Sequence, residues 1–154
     1  MPISNYPNGF PGGVSIRGVP IAQTHPGKVF WVSNVTTGLL PGQRGGSNGN
    51  KGTFNDPFST LAYAISRCVA NRGDIIFIKP GHAESIASAT ALPFDIAGVA
   101  IVGLGIGANR PTFTFTTANT AKIPVSAANI SVQHCIFVGT FLSIATCFLL
   151  PTAP

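Results

Sequence analysis

GTFNDPFSTLAYAISRCVANRGDIIFIKPGHAE, residues 52–84, holds the one convincing helix signal in the chain and, directly after it, the first strongly marked strand. Asp56 is of the residue class that accepts from the free amides of a helix start, and Pro57 suits the first helical position, where no amide donor is needed. Phe58, Leu61, Ala62 and Ile65 recur at i, i+3, i+4 and i+7, which makes one apolar stripe. Asn71-Arg72-Gly73 then stops the helix, Gly tolerating a left-handed conformation, so the pattern predicts a helix over 57–69. Ile75–Ile78 is a continuous apolar run, as expected of a strand covered on both faces. Pro80-Gly81 turns the chain out of it. One amphipathic helix followed only by short strands reads as a lid over one end of a stack of strands.

Upstream, prolines at 2, 7, 11, 20 and 26 and glycines at 9, 12, 13, 18 and 27 deny residues 1–28 a regular period. Tyr6, Phe10, Val14, Ile16, Val19 and Ile21 nevertheless recur, so we expect an extended arm laid along another surface. Residues 28–35, KVFWVSNV, carry the β-branched and aromatic side chains of a strand, and 38–52 form a glycine-rich loop. Downstream, short apolar segments at 99–102, 112–115, 123–125, 130–132, 135–138, 141–144 and 147–150 are separated by turn signals. These are Gly103-Leu104-Gly105, Asn109-Arg110-Pro111, Asn129 and Gly139. The expected organisation is an arm over 1–28 and one strand-built domain over 29–154.

Eighteen Gly and 13 Pro in 154 residues argue against a helical protein. Only 8% of residues are charged, against roughly 25% in a typical soluble domain, and the mean hydropathy is +0.37. A lone chain would expose an unusually apolar surface, so assembly is expected. The net charge of +5 is uneven: Arg17, Lys28, Arg44 and Lys51 stand in the first 51 residues with no acid, while five bases and four acids share the rest. The four N-terminal bases are scattered singly, without the clustering that tracks phosphates. An acidic protein surface is therefore the expected partner, and nucleic acid is not. Cys68, Cys135 and Cys147 make an odd count without framework spacing, and the residues after Met1 lack the charged and apolar regions of a signal peptide. Free thiols in a reducing cytoplasm are the expectation.

Gly52-Thr53, Pro57-Phe58, Thr60-Leu61, Ala64-Ile65, Arg72-Gly73-Asp74, Ile76, Ile78, Pro80-Gly81 and Glu84 together resemble the N-terminal cap and first coil of right-handed parallel β-helix proteins, the pectate-lyase-like superfamily. The resemblance implies an all-β fold: a short right-handed parallel β-helix with one N-terminal capping α-helix, preceded by the extended arm. From Ile75 to Val99 is then about one coil. Tyr6-Pro7-Asn8-Gly9-Phe10-Pro11, residues 25–32 (HPGKVFWV) and residues 46–52 (GSNGNKG) are similar to uncharacterised structural proteins of tailed bacteriophages, a likeness that covers nearly the whole chain. That fold hosts lyases, hydrolases and inert structural proteins, so function has to be argued from the residues.

The acids decide the enzyme question. They are Asp56, Asp74, Glu84 and Asp95, and the last 59 residues contain none. Asp56 reads as a helix cap and Asp74 as a turn residue beside Gly73. Glu84 is the one candidate general base, with His82 two positions away and able to point the same way; a solvated or inter-subunit ion pair at a coil corner is the reading we favour for these two. Pectate lyases of this fold resemble one another in an acidic calcium site plus a basic catalyst, and polygalacturonase-type and tailspike hydrolases use two or three carboxylates. A calcium site wants several anionic oxygens and glycoside hydrolysis wants paired carboxylates, which an acid-free body cannot supply. No enzymatic activity is expected.

Other constellations are equally poor. Gly103-Leu104-Gly105-Ile106-Gly107 is followed by Pro111 and strand-like residues rather than by a phosphate-holding helix. His25, His82 and His134 lack metal-ligand spacing, so neither cofactor nor metal is expected. Residues 136–150, IFVGTFLSIATCFLL, carry no charge but fall short of the ~20 residues of a membrane helix, and no membrane partner is expected. They read as buried strands ending in an uncapped coil, with Phe148, Leu149 and Leu150 exposed and in need of cover.

The function these expectations add up to is a non-enzymatic virion structural protein of a tailed phage, made in the host bacterial cytoplasm. The expected form is a homotrimer that decorates or cements the capsid, in contact with the major capsid protein or other virion proteins. Tyr6, Phe10, Arg17 and Lys28 are the expected arm contacts, Phe30 and Trp31 anchor the arm to the body, and Phe148, Leu149 and Leu150 are the end contacts. The alternative is a head or tail fibre or spike module that binds host-surface glycan. It expects exposed aromatics on one face, yet Trp31 is the only Trp and Tyr6 and Tyr63 the only Tyr.

Overall fold

The computed structural model describes residues 27–117, 120–141 and 146–150, and the backbone of 14–16 and 19–21. Within the expected arm, β1 (Val14–Ile16) and β2 (Val19–Ile21) pair antiparallel. All other ladders among the described residues are parallel. The architecture is mostly strands with one short α-helix.

The largest sheet runs β3 (Val29–Val32), β4 (Ile75–Ile78), β6 (Ala100–Gly103) and β9 (Ser131–Gln133) in that order. A second runs β5 (Ala83–Ile86), β7 (Thr112–Phe115) and β10 (Ile136–Gly139), and a third pairs β8 (Ile123–Pro124) with β11 (Phe148–Leu149). Successive passes of the chain add parallel strands to the same sheets: β3 to the first, β4 and β5 to the first and second, and then β6, β7, β8 and β9, β10, β11 to all three. Ile75 is paired with Ala100, one residue beyond the expected Val99. In-register pairing stacks like on like: Phe30, Ile76, Ile101 and Val132 form one column facing the main core. Trp31, Phe77 and Val102 form a column on the opposite face, where Phe77 lies 5.1 Å from Trp31. All four residues of β4 are buried, as the continuous apolar run required.

The helix is shorter than its stripe. α1 spans Leu61–Ser66, not 57–69, and Thr60 rather than Asp56 caps it, its side chain accepting from the Tyr63 amide. Two competing sets of bonds hold 57–60 out of the helix. Phe58 bridges to β3 through Phe58 N to Trp31 O at 2.9 Å and Ser33 N to Phe58 O at 2.8 Å. Asn48 Oδ1 accepts from the amides of Ser59 and Thr60 at 3.1 and 3.2 Å. Asp56 instead closes a tight turn in which its carbonyl accepts from Gly52 and Thr53. At the far end Asp74 takes the Val69 amide at 2.8 Å, drawing the chain away from the helix axis. Leu61, Ala64 and Ile65 remain the buried face, as the stripe required.

The loop 38–52 is less permissive than its composition implies. A Cβ on Gly46 would lie inside bonding distance of the Ser33 carbonyl, whereas a Cβ on Gly49 would meet only Ser47 Oγ at 3.7 Å. Gly46→Ala is expected to lower stability by about 1–3 kcal/mol through a forced backbone shift, and Gly49→Ala to stay within ~0.5 kcal/mol. Urea unfolding of the two variants checks this, and equal effects would contradict the packing.

Candidate functional site

The acid–base pair expected from sequence does form, but within one chain and on a buried histidine rather than solvated or between subunits. His82 Nε2 and Glu84 Oε2 are 3.1 Å apart. Both stand on the chain entering and running through β5, two residues apart and therefore on one face. Glu84 occupies the register position above Phe113, on the inward face. Its Oε2 also accepts from the Leu61 amide at 3.0 Å, at the start of α1. His82 Nδ1 accepts from the Asn34 amide at 3.1 Å. From these bonds we assign the tautomer with hydrogen on Nε2, donating to Glu84. The Asn34 side chain in turn accepts from the Ala83 amide and donates to the Ala83 carbonyl.

Both ring nitrogens of His82 are thus engaged, and the residue is only 1% exposed. A general base needs a free lone pair within reach of a substrate proton. Glu84, the candidate base, has its Oε2 engaged by both the His82 ring and the Leu61 amide, and the arrangement ties the lid helix to the strands beneath it.

Asp74 has a larger role than the turn residue expected of it. It is 0% exposed and accepts from Arg72 Nε and Nη2, each at 2.7 Å, from Lys28 N at 2.7 Å and from Val69 N at 2.8 Å. Burial pushes its carboxyl upward, but the Arg72 fork and the two amides outweigh it and hold the group below the usual carboxylate range. Burial, with the Asp74 charge beside it, pushes the Cys68 thiol up to about 12, and burial pushes Cys135 to about 11. Neither is a nucleophile near neutral pH. Cys147 is exposed.

Two surface features remain. One is a cleft of about 220 Å³ lined by Val35, Leu39, Arg44, Phe54 and Lys79 among others. In it Lys79 Nζ sits 4.2 Å from the centre of the Phe54 ring, its pKa lowered by burial. The other is the end formed by β9, β10 and β11. Val132, Cys135 and Phe137 pack on the main core yet are only partly buried, and Phe148, Leu149 and Leu150 are 39, 43 and 66% exposed.

Of the expected contact residues, Tyr6, Phe10 and Arg17 lie outside the described residues. Lys28 is exposed, with its amide held by Asp74. Phe30 packs against Phe58 at 5.8 Å and Trp31 against Phe54 and Phe77, so both fasten β3 to the body. Phe148, Leu149 and Leu150 come together at the exposed end. Of the three histidines, His25 lies outside the described residues. Among those residues no group of three His, Cys, Asp or Glu is placed to hold a metal ion, and no helix is long and apolar enough to cross a membrane. The chain matches no protein-family model, no curated protein and no solved structure.

Proposed function

We propose that the chain is a short right-handed parallel β-helix serving as a non-enzymatic virion structural protein of a tailed phage. In this reading it decorates or cements the capsid as a homotrimer and is made in the host cytoplasm. The segment 1–28 lies over neighbouring shell proteins, with Tyr6, Phe10, Arg17 and Lys28 in contact. One observation carries the structural role: the end formed by β9, β10 and β11 leaves core residues half-covered and exposes Phe148, Leu149 and Leu150, and residues 126–150 contain no Asp, Glu, Lys or Arg. A surface of that kind is a contact surface. The one His–Glu pair is locked between a backbone amide and the lid helix, which favours a structural role over catalysis.

The test is antibody raised against the purified chain and applied to intact virions of the encoding phage. Labelling at regular positions on the head is expected. Labelling confined to unassembled protein in the lysate would overturn the assignment.

The cleft favours one second reading. Lys79 over Phe54, with Arg44 at the rim, offers an apolar ring and two cations to a carboxylate-bearing sugar, as in a fibre or spike module that binds an acidic host glycan. Binding of oligo-uronate that is lost in Phe54→Ala would favour it.

A further inference from the structure

We infer that the open end formed by β9, β10 and β11 is the seat of a second copy of this chain, docked end to end about a two-fold axis. The two ends of the strand stack differ in one decisive respect. At the first end the free edge of β3 is already occupied: Trp31 N donates to Gly52 O at 2.8 Å, Ser33 N donates to Phe58 O at 2.8 Å, and Trp31 O accepts from Phe58 N at 2.9 Å. α1 covers the core beside it with Leu61, Ala64 and Ile65. At the other end β9, β10 and β11 are each the last strand of their sheet, and among the described residues no strand pairs with their outer edges. Half the amides and carbonyls of an edge strand point outward.

Natural edges are blunted with lysine, proline or inward charge. Residues 126–150 have no proline and no Asp, Glu, Lys or Arg. The inner columns also stop short: Val132 continues Ile101 and Phe137 continues Phe113, each only partly buried where its predecessor is fully so. The aromatic contact runs on to the surface, since Phe137 meets the exposed Phe148 at 5.1 Å. The surface therefore fits a partner that is uncharged, apolar and offers strand edges of its own.

The chain itself is such a partner, and only in one orientation. Head-to-tail stacking would need free edges at the lidded end, where β3 has none to give, Phe94 bridges to the outer edge of β8, and Asn34 holds the amide and carbonyl of Ala83 at the outer edge of β5. That leaves open end against open end, an isologous contact in which each residue near the axis faces its own counterpart. Like charges would oppose such a contact, and residues 126–150 bring no Asp, Glu, Lys or Arg to it. Side-by-side assembly about a three-fold axis leaves this end bare, so a two-fold contact makes the copy number even: two, or six if trimers pair. This holds whether or not the chain is a virion protein.

The mass in solution, by light scattering, decides it. The expected result is an even number of 15.9 kDa chains, halved in the double variant Leu149→Lys and Leu150→Lys, whose sites are already exposed. A mass of one or three chains, or an even mass that the double variant leaves unchanged, overturns the proposal. Hydrogen exchange on the wild-type protein guards against a variant that fails to fold. The outward amides of Ile136–Gly139 should exchange slowly in the assembly and at least tenfold faster on dilution to dissociated chains. Fast exchange at high concentration overturns the proposal as well.

Discussion

Asp74→Ala lowers the unfolding free energy by about 3–5 kcal/mol, the expected loss when one partner of a buried, hydrogen-bonded ion pair is removed. Domains hold ~5–15 kcal/mol in all, so the loss is a large fraction of the total stability. The size follows from what the carboxylate joins. One oxygen accepts from the Lys28 amide and Arg72 Nε, the other from the Val69 amide and Arg72 Nη2. The entry to β3, the exit from α1 and the turn into β4 are thereby pinned to one fully buried group. Alanine leaves the Lys28 and Val69 amides without their acceptor and strips the partly exposed Arg72 guanidinium of its partner, and unmet buried donors are expensive.

The pH dependence carries a definite sign. The native carboxyl of Asp74 is held below the ordinary value, which for Asp is about 3.9 in an unfolded chain. Its contribution is therefore complete above pH ~4 and is lost as pH falls through the lower native value. Urea midpoints at pH 7 and pH 3 check both points. The wild type should lose stability across that interval, and the variant should lose less of it. A variant as stable as wild type at pH 7 would show that the four bonds to Asp74 are not formed.

Much of the architecture could be read from residue pattern because the pattern and the packing ask for the same thing. Ile75–Ile78 is apolar throughout because both its faces are covered, one by the main core and the other by Trp31 and its neighbours. Thr112–Phe115 alternates, and so does its burial. Misses occurred where a tertiary bond outbid a local signal. Asp56 and Pro57 make a good helix start, but the bridge from Phe58 to β3 and the grip of Asn48 on Ser59 and Thr60 move the cap to Thr60. Strand β5 was invisible as a strand because one of its two inward positions is Glu84 rather than an apolar residue. That same substitution of acid for hydrophobe is what lets β5 reach the α1 amide. Glu84 and His82 were legible as a pair from their spacing of two. The engagement of both imidazole nitrogens was not, because Asn34 lies 48 residues away. Nor could the depth of Asp74 be read, since nothing local distinguishes a buried anchor from a turn aspartate after glycine.

The second large effect is expected inside the aromatic column that leads to the open end. Phe113 is fully buried, stacked on Phe137 at 5.5 Å and set 5.8 Å from the His82 ring. Phe113→Ala should cost about 3–5 kcal/mol, combining lost transfer free energy with an unfilled cavity. The neighbours cannot collapse into that space readily, because parallel in-register pairing fixes Phe137 below it and the His82 bonds fix the ring beside it. Phe148, two rings further along the same run of contacts, is 39% exposed. Truncating it to Ala removes far less buried area, and a loss of about 1 kcal/mol or less is expected within one chain. Urea denaturation of both variants at a concentration where the chain is dissociated reads the intrinsic terms. Repeating it at high concentration separates them from assembly, because only the Phe148 variant should then fall further behind wild type than its intrinsic loss. Equal losses for the two phenylalanines at low concentration would mean that the column is not buried at one end and open at the other.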